Sequence, residues 1–302
     1  AFMNATKIKT FYIPASITKT WGGEHVDYFD NFNSQTNPSW TYISSPFTGC
    51  TAMQTITFEN EAVRDLFFGS NRNSTAEDPM VAYAGLVAYN TFDEALAAAL
   101  ENGVTLGLAK NVAVKDTIVI PAGKTLTINL NGKTISANMH KNEGAVIKNN
   151  ATLTLIGGTV SSLGENGGSA VQNNGTMTIN DVTLNGAPNA NGSWPSYTVN
   201  NTGELTIIDS DITSYHGAVA SYGDGAIVYL NNTNIDMSGI PGFTSHGIYT
   251  YNNGRVVVNG GDIANHATDQ NASGASVING AVEVNSGNFS GRIENYYGTP
   301  VL

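Results

Sequence analysis

The chain has 302 residues and a formal net charge of −11, from 24 acidic and 13 basic side chains. This negative charge repels the phosphate backbone and disfavours a nucleic-acid-binding role. No apolar run reaches the ~18 residues of a membrane span, and a lone cysteine excludes an internal disulfide. Only 12% of the residues are charged and 33 are glycine, which is typical of an all-β protein with many turns and excludes a helical bundle or a disordered chain.

Residues 1–88 carry no internal repeat and are expected to form a first domain. Ala1 fits either removal of an initiator methionine or cleavage of a signal peptide. Alternating apolar residues over 7–13 predict a strand, and residues 61–68 predict a short helix. Two interpretations stay open, a small β-rich attachment domain or a segment wrapped along the rest of the chain. The expected partner of this segment is a capsid or cell-envelope protein.

A second domain is expected over residues 89–302, and it begins with a predicted helix. Thr91 and Glu94 have the spacing of a capping box, an alanine-rich run follows, and Gly103 suits the C-terminal cap. A solenoid leaves its apolar core open at each end, so this helix is expected to close one end. Residues 104–123 are expected to form an irregular first coil.

From about residue 125 one pattern recurs in seven copies, 23–28 residues apart. Two apolar residues stand at i and i+2, and a third follows after a bend of four residues. The copies begin at Ile128, Leu153, Met177, Leu205, Val228, Val256 and Val282. An apolar pair at i and i+2 predicts a strand with one face inward, and the Gly, Asn, Asp and Ser residues that follow favour a bend.

A third short strand closes each copy. Asparagine follows it, often doubled, at Asn149-Asn150, Asn173-Asn174, Asn200-Asn201 and Asn252-Asn253, and then at Asn279. Asparagine tolerates the left-handed backbone of a tight bend and can hydrogen-bond to an asparagine one layer away. The pattern predicts an all-β fold, a single-stranded right-handed parallel β-helix of about eight coils. An N-terminal helical cap and a separate N-terminal β-rich segment complete the predicted architecture.

The sequence resembles the right-handed parallel β-helix family, pectate-lyase-like in fold, and more closely the repeat proteins of bacterial and phage surfaces. The resemblance rests on the phrases at residues 117–126 and 130–135, and on Gly-Thr-apolar-Thr-Ile after paired asparagines. It covers about residues 90–290. The resemblance implies the fold and an extracellular place, on a virion or a bacterial cell, but one such scaffold hosts several unrelated activities.

Three aspartates are the candidate catalytic residues if the protein is an enzyme. Asp181 and Asp209 occupy the same position in adjacent copies, and Asp211 can point to the same side as Asp209. An inverting glycoside hydrolase needs two carboxyl groups ~6.5–9.5 Å apart. The favoured interpretation is that these aspartates make turns and keep a β surface soluble. The same oxygen ligands suit Ca²⁺, but no calcium loop supports such a site, and neither a metal nor another cofactor is expected.

Basic residues and histidines add little chemistry. Residues 149–254 contain no Lys or Arg, which disfavours a lyase that acts on acidic sugars, because such an enzyme needs a basic residue at its anionic substrate. The five histidines show no metal-ligand spacing and are interpreted as loop residues.

Long excursions leave the predicted coils after the same strand, at residues 185–197, 237–246 and 265–273, so they are expected to stack on one flank. The candidate binding residues are the aromatic side chains in or near them: Trp194, Tyr197, Tyr215, Tyr222, Phe243, Tyr249 and Tyr251. Aromatic rings with few charges suit a neutral glycan or a protein. The alternative interpretation, weighed equally, is that these rings brace the loops against the coils.

These observations favour a non-enzymatic, surface-exposed structural or recognition protein. A phage virion decoration or fibre protein fits them, and so does a bacterial adhesin that binds a neutral glycan or a protein through stacked loops. Residues 291–302 show no polar cap, so a homo-oligomer or another partner is expected to cover that end. The alternative is a secreted glycoside hydrolase that acts on a neutral polysaccharide through the three aspartates.

Overall fold

The computed structural model describes residues 5–16, 47, 49–68, 79–139, 144–164, 167–187, 197–237, 245–266 and 276–294. The contacts divide the chain into two compact units, residues 1–110 and 111–302. The repeat-free segment expected from the sequence ends at residue 88, so the first unit also includes the helix and one strand that follow it.

The described residues of the first unit form five short strands: β1 (Thr10–Ile13), β2 (Thr55–Phe58), β3 (Ala82–Ala84), β4 (Val87–Tyr89) and β5 (Leu106–Leu108). Their order is β1-β2-β4-β3-β5, with β1 parallel to β2 and the other pairs antiparallel. Aromatic rings fill the core beneath them, and the rings of Phe58 and Phe67 lie 5.3 Å apart. The predicted attachment segment therefore has a hydrophobic core of its own.

Both predicted helices are confirmed, as α1 (Glu61–Phe68) and α2 (Phe92–Asn102). The capping box at α2 forms as expected: the Glu94 backbone N–H donates to Thr91 Oγ1 at 3.4 Å, and that hydroxyl donates to Glu94 Oε2 at 2.8 Å. Gly103 ends the helix with a left-handed φ of 65°. The buried alanines of α2 face the strands β3, β4 and β5. No helix in the described part of the chain is long and apolar enough to cross a membrane.

The second unit is a parallel β-helix, as the repeat predicted. Its strands are β6 (Val112–Val114), β7 (Ile118–Ile120), β8 (Thr125–Asn129), β9 (Thr134–Ala137), β10 (Ala145–Asn149), β11 (Thr152–Ser162), β12 (Ser169–Asn173), β13 (Thr176–Asn185), β14 (Tyr197–Asn201), β15 (Glu204–Ile208), β16 (Asp211–Ser214), β17 (Gly217–Tyr222), β18 (Ile227–Asn231), β19 (Asn234–Met237), β20 (His246–Tyr251), β21 (Arg255–Asn265), β22 (Ser276–Asn279), β23 (Val282–Ser290) and β24 (Ile293–Glu294). Strands β7, β10, β12, β14, β17, β20, β22 and β24 follow one another in one parallel sheet, here called the corner sheet. The apolar pairs of the repeat lie on the strands that alternate with these along the chain.

The solenoid has about six turns, fewer than the eight predicted. One reason lies at residues 104–123, which the sequence assigned to an irregular first coil. Part of this segment, β5, instead pairs antiparallel with β3 in the first unit. At the other end of the repeat β24 has only two residues, and Val284 and Phe289 are only half-buried.

The first copy of the repeat begins two residues earlier than predicted. Leu126 pairs with Leu153 and Ile128 with Leu155, so the inward pair is Leu126 and Ile128. Leu130 lies in the bend that follows, which is two residues longer here than in the next copy. Leu130 is itself fully buried. The apolar pattern in the sequence therefore fits Ile128 and Leu130 as well as it fits Leu126 and Ile128.

The predicted asparagine corner is confirmed as a buried ladder along the corner sheet. Asn149 Nδ2 donates to Asn173 Oδ1 at 2.8 Å, and Asn173 Nδ2 donates to Asn201 Oδ1 at 2.8 Å. Asn201 then donates to the Ser221 hydroxyl at 3.4 Å. We call Asn149, Asn173 and Asn201 the asparagine ladder. Asn279, which the sequence placed at this corner, pairs instead with Tyr249 on the neighbouring outward position.

Candidate functional site

Four aromatic side chains stack on the corner sheet, and we call them the aromatic row: Tyr197, His246, Tyr249 and Tyr251. The ring centroids of Tyr197 and Tyr249 are 5.7 Å apart, with 17° between their planes. The ring of Tyr251 lies 6.4 Å from that of Tyr249, and the imidazole of His246 lies 5.5 Å from it, with interplanar angles of 12° and 13°. Four side chains from two strands thus form one offset parallel stack.

The row depends on small residues in the strand between its members. Strand β17 separates β14 from β20, and Gly217 pairs with Tyr197 on one side and with His246 on the other. A Cβ atom on Gly217 would overlap the Tyr197 ring. Because Gly217 has no side chain, Tyr197 can lie flat across β17 and reach Tyr249 two strands away.

The inner part of the row is buried and uncharged at neutral pH. Burial raises the pKa of Tyr197 well above its usual value, and the neighbouring Tyr249 raises it further. Burial lowers the pKa of His246 to about 4, and its Nδ1 lies 2.8 Å from the Ser276 hydroxyl. Tyr251 is different, because 42% of its surface is exposed. The row therefore combines an accessible ring at Tyr251 with two buried, neutral rings at Tyr197 and His246.

The buried imidazole predicts a specific pH dependence of stability. The unfolded chain takes up a proton near the usual histidine pKa of ~6.5, whereas folded His246 does so only near 4. Between these values the unfolded state binds more protons, so the free energy of unfolding falls as the pH falls, by about 3 kcal/mol in all for this group.

Urea denaturation of the parent and of His246→Asn between pH 7 and 4 measures this contribution. We expect the variant to lose the part of the slope that belongs to His246. The matched control is His266→Asn, since the His266 side chain is 62% exposed. An unchanged difference between parent and His246→Asn across this range would contradict the prediction.

The structure brings together part of the predicted binding set. Tyr197, Tyr249 and Tyr251 meet in the row, and Tyr222 pairs with Tyr251 on the neighbouring strand. Tyr215 lies half-buried in the bend before β17. Trp194 and Phe243 lie outside the described residues, as do most of the three predicted excursions.

The sequence missed the fourth member of the row. His246, interpreted there as a loop residue, is the first residue of β20 and is buried. The interpretation was wrong because the end of the preceding excursion was placed at residue 246 itself. The spacing within the strands could have shown this position. His246 stands three residues before Tyr249, and Tyr197 stands three residues before Asn200, which holds the position of Tyr249 on the matching strand.

The three candidate catalytic aspartates lie away from the corner sheet: Asp181 is within β13, Asp209 follows β15, and Asp211 begins β16. Asp181 and Asp209 have left-handed φ angles of 56° and 47°, a conformation that aspartate tolerates better than most residues. Asp209 Oδ1 accepts a hydrogen bond from Asn232 Nδ2 at 2.7 Å, and Asp211 Oδ1 accepts one from Asn234 at 2.9 Å. These contacts fit the turn-making interpretation, and the catalytic assignment stays a prediction.

Metal ligands are not gathered in the described part of the chain, where no three His, Cys, Asp or Glu side chains are close enough to share an ion. The Ca²⁺ site considered for the three aspartates also stays a prediction.

Comparisons with protein-family models, curated proteins and solved structures find no match to this chain. What this chain binds must therefore be argued from its own residues, because a β-helix scaffold does not fix a function. The aromatic row is the feature of the described surface in which several of the residues singled out by the sequence meet.

Proposed function

We propose that this chain is a non-enzymatic recognition protein of a bacterial or phage surface that binds a neutral glycan through the aromatic row. The observation that carries the proposal is the stack of near-parallel, uncharged rings that ends in the exposed ring of Tyr251. An aromatic face is apolar while its hydroxyl is polar, a combination that suits a sugar ring, which also has an apolar face and polar edges.

The setting of the row supports binding more than chemistry. The strands beneath it, β14, β17 and β20, pair continuously in parallel, and Asn201 ties β14 to the asparagine ladder, so the rings are held in place before a ligand arrives. A preorganised site avoids much of the entropy that ordering side chains would cost on binding. Burial holds Tyr197 and His246 in their neutral forms, which fits a ligand without charge at this position.

The first unit supports an attachment role. Its own aromatic core makes it a separate compact body, and a solenoid joined to such a body suits a virion decoration protein, a fibre or an adhesin. In this proposal the first unit binds a capsid or cell-envelope protein, the assembly is a homo-oligomer, and the solenoid faces the extracellular medium.

A glycan array probed with the full chain tests the proposal. We expect binding to a subset of neutral glycans, and we expect Tyr251→Thr to weaken it about tenfold, since stacking on one exposed ring contributes about 1 kcal/mol or more. The matched control is Tyr229→Thr, because Tyr229 lies half-buried on a different sheet and pairs with Thr206 in the neighbouring strand. Absence of glycan binding, or equal binding by Tyr251→Thr and the parent, would overturn the proposal.

A further inference from the structure

Residues at one register position form a line along the corner sheet from β10 to the aromatic row, and all of them except the buried Ala220 are half-buried. We call it the outer column: Lys148, Gln172, Asn200, Ala220 and Tyr249. Each member pairs with the next in the strand register. Neighbouring strands lie ~4.8 Å apart, so the four steps from Lys148 to Tyr249 cover about 19 Å along the solenoid axis.

The chemistry of the outer column changes along its length. Tyr249 and the adjoining rings occupy one end. Two amides follow, and both use their nitrogen within the protein: Asn200 Nδ2 donates to Ser169 Oγ at 2.6 Å, and Gln172 Nε2 donates to Asn174 Oδ1 at 3.4 Å. The amide oxygens are therefore the atoms that remain to accept hydrogen bonds from ligand hydroxyls.

The opposite end of the outer column carries its only charge. Lys148 is half-buried on β10, and no Lys or Arg occurs from residue 149 to residue 254, where seven acidic side chains do. The other described lysines of the second unit, Lys115, Lys124 and Lys133, also precede β10. The first turns of the solenoid are therefore positive and the following turns negative, so an anionic group is favoured only at the Lys148 end.

We infer that the glycan is linear and lies along the outer column, neutral where it contacts the aromatic row and anionic only at the end that reaches Lys148. Its neutral sugars contact the aromatic row and the two amides, whose spacing repeats with the strands. The inference rests on the proposed glycan-binding function and adds the direction of the chain and the chemistry of one end. A compact neutral sugar would use the aromatic row alone and would leave Lys148 without a role.

Paired probes test this inference with the full chain. We would compare linear neutral oligosaccharides, long enough to span the outer column, with the same oligosaccharides capped at one end by a uronic acid. The acid-capped members are expected to bind about fivefold more tightly at low salt, as for a partly exposed ion pair. The preference should shrink as the ionic strength rises.

Two variants decide which residue causes the preference. Lys148→Gln, which copies the neighbouring Gln172, is expected to remove the preference for the acid-capped probes. Lys133→Gln is the matched control, because Lys133 lies in the bend between β8 and β9. It should keep the preference.

The failure of this inference and that of the proposed function look different. Equal affinity for both probe types, or a preference that survives in Lys148→Gln, overturns the inference that the ligand has an anionic end. Binding that depends on Tyr251 would still support the proposed glycan binding in that case. Binding of neither probe type overturns both.

Discussion

Replacing Asn173 with leucine is expected to lower the free energy of unfolding of the second unit by about 3–5 kcal/mol. The side chain is fully buried, and its Nδ2 donates to Asn201 Oδ1, to the Gly175 carbonyl and to the Glu204 carbonyl at 2.8–3.0 Å. Its Oδ1 accepts from Asn149 Nδ2. Leucine fills a similar volume but removes these hydrogen bonds from their buried partners.

Two companion variants separate this effect from a general loss of polarity. Asn174→Leu changes the next residue, whose exposed side chain donates to Asn150 and accepts from Gln172 and Thr202. Because these hydrogen bonds are exposed to water, we expect the substitution to cost less than about 1 kcal/mol. Asn173→Ser should fall between the two, because Ser221 occupies the same column two turns on. Urea denaturation measures all three, and equal values for Asn173→Leu and Asn174→Leu would refute the stabilising role of the ladder.

Tyr197→Ala is expected to lower the free energy of unfolding by about 3 kcal/mol, in the range found when large buried aromatic side chains are truncated. Only 7% of Tyr197 is exposed, and its ring covers Gly217, so truncation leaves a cavity between β14 and β20. Tyr251→Ala is the control, because Tyr251 belongs to the same row but is largely accessible, and it should cost less than about 1 kcal/mol.

The same comparison shows whether the binding experiment with a Tyr251 variant reports on binding or on folding. If Tyr251→Ala proved as destabilising as Tyr197→Ala, loss of binding in a Tyr251 variant would report on the fold, and the distinction drawn between a buried base and an accessible end of the row would be wrong. Thermal denaturation followed by circular dichroism, run on both variants and the parent, gives the answer.

The sequence predicted the parallel β-helix and its asparagine corner because both depend on residues that repeat at nearly constant spacing. Each buried apolar pair repeats in the next turn. Asn149 contacts Asn173 because each ends the corresponding strand of its own turn, β10 or β12. Local patterns also predicted both helices, since the residues that cap α2 lie within it or next to it.

The remaining features depend on contacts that no periodic pattern encodes. Tyr197 reaches Tyr249 only because Gly217 leaves space on the strand between them, and nothing in the spacing of aromatic residues shows that gap. The aromatic core of the first unit combines Phe47, Phe58 and Phe67 from separate segments without a repeat. The two-residue error in the predicted start of the first copy has a similar origin, since Leu130 is buried in a bend rather than in a strand.

The asparagine ladder does not continue unchanged along the corner sheet. Beyond Asn201 the same position is taken by Ser221 and then by Thr250, whose hydroxyls carry one donor hydrogen where the amide carries two. In a solenoid each turn is held mainly by its neighbours. Heat or a pulling force should therefore unfold the turns at β17 and β20 first, while the turns from β10 to β14 remain folded. The aromatic-row residues on β20 would therefore lose their positions before Lys148 on β10 does.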